Sequence, residues 1–122
     1  MVLEESRFTL LVGRRSEALA ALHDARGVSA SAYVTACNPF SQALTEEQNA
    51  ERMGELRAVV EGAGHPWVAG VGQDPLGQWP GEPSLLVLGV TRAESEALGR
   101  RFEQNAIVFA GEDATPELLL LR

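Results

Sequence analysis

Residues 84–90 read Ser-Leu-Leu-Val-Leu-Gly-Val, a stretch with almost no polar interruption. A strand with one wet face alternates apolar and polar side chains, whereas a run without alternation marks a strand covered on both sides. The chain must therefore supply packing for both faces of a sheet. With 122 residues it has the length of one domain, residues 1–122, and can bury roughly two-thirds of its unfolded surface.

The flanking segments say what does the covering. Phe8–Val12 is an apolar, β-rich run ended by Gly13 and predicts a first strand. Ser16 is placed to cap a helix with Glu17 in its first turn, and Ala18, Leu19, Leu22 and Ala25 follow at helical spacing before Gly27. Ser31–Cys37 predicts a second strand. Thr45-Glu46-Glu47-Gln48 is a capping box whose helix runs to about Glu61 and closes at Gly62-Ala63-Gly64. Trp67–Val71 is a third strand, and Gly72–Pro83 is a long loop rich in glycine and proline. A second capping box, Thr91-Arg92-Ala93-Glu94, leads a helix to about Phe102; Ala106–Ala110 and Leu118–Leu121 are the last two strands.

From Ser31 onward the order is β-α-β-β-α-β, the split βαβ or ferredoxin-like pattern. The expected architecture is α+β: a ferredoxin-like core with an extra N-terminal strand and helix and a C-terminal strand. Right-handed crossovers put both later helices on one sheet face. The first helix is left to cover the other. One short helix leaves part of that face open, so a homodimer is expected.

Charge narrows the function. Seventeen acidic residues against ten basic ones give −7. Phosphate contacts dominate nucleic-acid affinity, and arginine doublets at Arg14-Arg15 and Arg100-Arg101 do not make a basic patch, so no nucleic-acid partner is expected. All ten basic residues are arginine, which removes lysine Schiff-base chemistry and the lysine of a phosphate-binding loop. No apolar run approaches the ~20 residues of a membrane span. Met1-Val2-Leu3-Glu4-Glu5 lacks the cationic lead and apolar core of a signal peptide. A cytoplasmic protein that does not use the membrane is the expectation.

Catalytic arrangements are equally scarce. No Gly-x-Ser-x-Gly elbow occurs, and Gly70-Val71-Gly72 leads into Gln73-Asp74-Pro75 rather than a helix. His23 and His65 stand apart in sequence, and the lone Cys37 allows neither a disulfide nor a multi-cysteine zinc site. No metal and no cofactor are expected. Cys37 reads as a small buried hydrophobe, and His23 as a partly exposed helix residue.

Strand direction brings the polar residues together. If Ser31–Cys37 runs upward, three connections meet at the top: Asn38–Leu44, Gln73–Pro83 and Glu103–Asn105. They carry Asn38, Ser41, Gln42, Asp74, Glu82, Ser84, Gln104 and Asn105. On the long helix, Asn49 shares a face with Met53, Leu56, Val60 and Ala63, one turn from the same end. A buried amide without partners costs about 1–3 kcal/mol, so Asn49 should be hydrogen-bonded. Either it ties down the loop after Asn38, or it also lines a polar pocket. Asn38-Pro39 doubles as a strand-ending turn, and Gln104-Asn105 as a helix end, because Asn tolerates the left-handed conformation.

Several of these positions carry a likeness. Thr35-Ala36-Cys37-Asn38-Pro39, Asn49 with Leu56, Gly72-Gln73-Asp74-Pro75, Trp79 through Glu82-Pro83-Ser84, and Phe102-Glu103-Gln104-Asn105-Ala106 together resemble the DUF3293 family of small bacterial proteins, a domain of unknown function. The likeness spans about Phe8 to Ala110. It departs from the family pattern at Cys37, more often aromatic there, and at Glu103, more often glycine. The resemblance therefore implies no chemistry for Cys37 and no tight glycine cap at Glu103. It implies no activity, since the family has none established, but the top-end polar residues match family motif positions.

The reading is a non-catalytic cytoplasmic domain that binds a small ligand or a partner segment through Asn38, Ser41, Gln42, Asn49, Glu82, Ser84, Gln104 and Asn105. Two alternatives stay open. One is a hydrolase using Glu82 or Asp74 as a base, which needs those carboxylates in a closed pocket. The other is an acidic interaction or inhibitor module working through Glu47, Glu51 and Glu55, a stripe at helical spacing.

Overall fold

A computed structural model describes residues 2–3, 8–9, 12–38, 42, 44–72 and 82–121, and among these described residues lie three helices and seven strands. In chain order they are β1 (Val2–Leu3), β2 (Phe8–Thr9), α1 (Glu17–Arg26), β3 (Ser31–Val34), α2 (Glu46–Gly62), β4 (Trp67–Gly72), β5 (Glu82–Leu88), α3 (Arg92–Arg101), β6 (Ala106–Ala110) and β7 (Glu117–Leu120).

The helices begin where their caps say. The Ser16 hydroxyl accepts from the Leu19 N–H, and Thr45 with Gln48 and Thr91 with Glu94 close reciprocal capping boxes. All three helices also end alike. The N–H of the left-handed residue and the next N–H reach back to carbonyls of the last turn: Gly27 to Asp24 and Val28 to His23; Gly64 to Glu61 and His65 to Val60; Glu103 to Arg100 and Gln104 to Gly99. The left-handed residue is glycine twice and Glu103, at φ 60°, the third time. Two expectations are corrected here. The tight cap after α3 exists although its residue is not glycine, and the positive φ falls on Glu103 rather than Asn105.

The strands form one sheet in the order β2-β1-β4-β5-β3-β6-β7, every neighbouring pair antiparallel. β1 carries too few residues for a periodic signal and was not expected. Of the predicted Phe8–Val12 strand, Phe8–Thr9 is strand and Val12 lies in a turn, with residues 10–11 outside the described residues.

α2 and α3 share one face and α1 covers the other. Met53, Leu56 and Val60 of α2 pack with Ala32, Val34, Leu85, Val87, Ile107 and Leu119, and Leu98 of α3 joins them. Leu19 and Leu22 of α1 pack with Tyr33, Val68, Leu86, Leu88 and Ala110. Alternate leucines and valines of β5 thus enter opposite cores, which is why the run lacks polar positions. Each such buried side chain contributes about 1.5–3 kcal/mol. No described helix is long and apolar enough to cross a membrane.

The buried face of α1 is rotated from the expected one. Leu19, Leu22 and His23 are buried, whereas Ala18 and Ala25 are exposed. His23, expected to be partly exposed, is therefore a core residue; its Nε2 lies 2.7 Å from Ser31 Oγ on β3.

Candidate functional site

The polar end is assembled from the close of β3 outward. β3 stops at Val34, three residues before the predicted Cys37, because Thr35 leaves the ladder. Its hydroxyl donates to the Pro83 carbonyl at 2.7 Å and accepts from the Cys37 N–H at 3.1 Å. Ala36 and Cys37 then drop into the α2 core, where the Ala36 N–H meets Met53 Sδ at 3.4 Å. Asn38 takes a left-handed conformation, φ 47°, which Asn tolerates better than most residues.

That conformation turns Asn38 toward α2. Its backbone N–H donates to Asn49 Oδ1 at 2.9 Å, and Asn49 Nδ2 donates to Asn38 Oδ1 at 3.0 Å. The same Asn38 oxygen accepts the Leu44 N–H at 3.0 Å, fixing the chain just ahead of the α2 cap. One helical turn on, Arg52 spans two connections: Nε donates to the Ala36 carbonyl and a terminal nitrogen to the Phe102 carbonyl, both at 2.6 Å. Its other terminal nitrogen lies 3.6 Å from a Glu103 carboxylate oxygen. Gln104, buried, closes the ring by donating from Nε2 to the Cys37 and Phe102 carbonyls at 3.1 and 3.0 Å.

Asn38, Asn49 and Gln104 are thus joined, with Arg52 as the member that sequence reasoning missed. The signal was present: Asn49, Arg52 and Leu56 share a helix face at three- and four-residue spacing, and a cation beside that apolar face needs acceptors. The other candidates are not members of this hydrogen-bond network. Ser84 is buried but shares the strand parity of Leu86 and Leu88, which enter the α1 core, so it faces away from Asn49. Gln42 and Asn105 are exposed, and the Asn105 carbonyl accepts the Leu121 N–H at 2.8 Å. Glu82 begins β5 opposite Gly72; its side chain, Ser41 and Asp74 lie outside the described residues.

Away from this rim, Glu47, Glu51 and Glu55 are all exposed on α2. Burial holds the His23 imidazole below its ordinary pKa. The Thr91 backbone N–H lowers that of Glu94, whose other oxygen meets His65 Nε2 at 3.2 Å. Among the described residues, no group of three or more His, Cys, Asp or Glu is placed to hold a metal ion. The rim's chemistry is that of an ordered hydrogen-bonding surface, with Arg52 its one buried-side cation among the residues just named.

A family model described as a protein of unknown function, DUF3293, covers residues 34–107, from the end of β3 into β6 and so across the whole rim. No curated protein and no solved structure matches the chain.

Proposed function

The chain belongs to the DUF3293 family, and we propose that it is a non-catalytic binding module whose polar rim receives a small ligand or a partner segment. The observation that carries this is the locking of two connections, β3 to α2 and α3 to β6, by side chains: Asn38 to Asn49, Arg52 to Ala36 and Phe102, and Gln104 to Cys37. A surface already ordered before binding loses less conformational freedom when a ligand arrives. Asn38, Asn49, Arg52 and Gln104 then hold the platform, while Gln42, Asn105 and Glu103 supply its accessible groups. The adjacent order β4-β5-β3-β6 supports reading the centre of the sheet as a ferredoxin-like unit within one domain over residues 1–122. The setting we infer is a bacterial cytoplasm, where the lone thiol of Cys37 stays reduced.

The test uses the exposed groups, so that loss of binding is separable from loss of fold. A ligand that raises the melting temperature of the parent protein should lose its effect in the double variant Gln42→Ala/Asn105→Ala, whose own melting temperature stays unchanged. Equal ligand stabilisation of parent and variant would remove the rim as the site.

A second copy of the chain is the macromolecular partner we favour. Leu118 and Leu120 are 50% and 72% exposed on β7, and among the described residues β7 has a strand neighbour only in β6. Antiparallel pairing of β7 with its copy, centred on Leu119, sets each Leu118 opposite a Leu120 and avoids Glu117 facing Glu117. Sedimentation should give a dimer that Leu120→Lys dissociates; a monomeric parent at high concentration removes this reading.

A further inference from the structure

Between α2 and α3 runs an open cleft of about 220 Å³, on the helix layer and separate from the rim network. Its walls are apolar: Val60 from α2, Val90 before α3 and Leu98 from α3. It exists because small side chains line it where the helices would otherwise interdigitate, Ala63 on one side and Ala97 on the other. α3 is meanwhile drawn down onto β6 by Gly99, where an added Cβ would lie 2.7 Å from Ile107 Cγ2 and 2.4 Å from Leu121 Cδ1. The helix sits on the sheet and leaves its α2-facing flank open.

The two ends of the cleft differ in charge. At one end His65 and Glu94 satisfy each other. At the other stands Arg101, exposed and without an ion pair among the described residues, while its neighbour Arg100 meets Glu96 at 3.6 Å. From Glu94 to Arg101 the helix rises about 10 Å at 1.5 Å per residue. On a chain of formal charge −7, an apolar trough with the hydrogen-bonded His65 and Glu94 at one end and an exposed guanidinium without an ion pair among the described residues at the other favours one ligand chemistry.

We propose that this cleft binds a medium-chain monocarboxylate, an extended apolar body of six to eight carbons (about 10 Å) with its carboxylate on Arg101. The tail replaces water along Val60, Val90 and Leu98, and Arg101 offers the paired N–H donors that match a carboxylate. The occupant is a free small molecule, because the trough is only as long as two helical turns.

The experiment titrates octanoate, below its micellar range, into the full chain and follows backbone amide resonances. Saturable shifts at Val60, Val90, Ala97 and Leu98 are expected, with octylamine failing to reproduce them. Arg101→Gln should weaken octanoate roughly tenfold, the worth of one charge-assisted contact, and Ala97→Leu should abolish the shifts by filling the trough while circular dichroism stays native. Absence of saturable shifts in the parent overturns the proposal. So does octylamine binding as well as octanoate, or binding unchanged in Ala97→Leu. Shifts at Gln42 and Asn105 instead would place the carboxylate on the rim, which also overturns the cleft.

Discussion

Asn38 and Asn49 exchange two hydrogen bonds, the backbone N–H of the first to Oδ1 of the second at 2.9 Å and Nδ2 of the second to Oδ1 of the first at 3.0 Å. The pair joins the end of β3 to the first turns of α2, eleven residues apart in sequence. It converts a turn beside a proline into a fixed corner, and everything else on the rim is built against that corner.

Replacing Asn49 by Ala leaves the Asn38 N–H without its acceptor. The half-buried donor should cost about 1–3 kcal/mol, read as a lower urea midpoint with an unchanged slope. Asn49→Asp keeps the acceptor but points a carboxylate oxygen at Asn38 Oδ1, so it should recover little of the loss. A neutral Asn49→Ala would show the pair to be ornamental.

Glu103 offers the opposite sign. It sits at φ 60° in the same hydrogen-bonded helix ending where Gly64 sits at φ 82° after α2. A side chain in that region crowds its own backbone, at about 1–2 kcal/mol. Glu103→Gly sheds this and loses only a 3.6 Å contact to Arg52 from a half-exposed carboxylate, which contributes little. After the extra freedom glycine brings to the unfolded chain, a net gain of about 0.5–1 kcal/mol is expected. Gly64→Ala should destabilise by a similar amount. Thermal melts of the two variants check both signs.

Gly99 sets packing against helix propensity. Alanine is favoured over glycine inside a helix by about 1 kcal/mol. At this position, though, its Cβ would meet Ile107 Cγ2 at 2.7 Å and Leu121 Cδ1 at 2.4 Å. Leu121 can yield; Ile107, in the core, cannot without disturbing β6. Overpacking of this kind costs about 1–3 kcal/mol, so Gly99→Ala should lower the denaturation midpoint. A raised midpoint would mean that α3 lifts off the sheet without penalty.

Much of this was legible because the signals are local. Ser16, Thr45 and Thr91 announce helix starts through side chains three residues from their partners. Gly27 and Gly64 announce ends through a conformation glycine adopts freely, and the unbroken Ser84–Leu88 run announces two cores. What failed was tertiary. Thr35 reads as strand by propensity but spends its hydroxyl on Pro83, 48 residues away. The acceptors of Arg52, the Ala36 and Phe102 carbonyls, come from segments 16 and 50 residues away, so its own helix does not reveal them. Ser84 reads as one of a polar cluster although strand parity, visible in the Leu86 and Leu88 positions, sends it to the other face. His23 lies one helical turn from Leu19 and so shares its buried face, although its polarity reads as surface.

His23 makes the stability of the α1 layer depend on pH. The ring is buried, its Nε2 is 2.7 Å from Ser31 Oγ, and Nδ1 has no hydrogen-bond partner among the described residues. Protonation would place a charge and an unmatched N–H in an apolar layer of Leu19 and Leu22, so burial lowers the folded-state pKa from 6.5. The unfolded chain then binds the proton more readily. Stability from this group is full above the unfolded value and declines as pH falls below about 6.5. Urea midpoints should therefore drop between pH 7.5 and 5.5. His23→Leu, which fills the same space without a titrating group, should remove this contribution, so the parent-minus-variant difference isolates this ring. A difference that stays constant with pH, or grows more favourable to the parent under acid, would mean that the folded protein takes up this proton at least as readily as the unfolded chain.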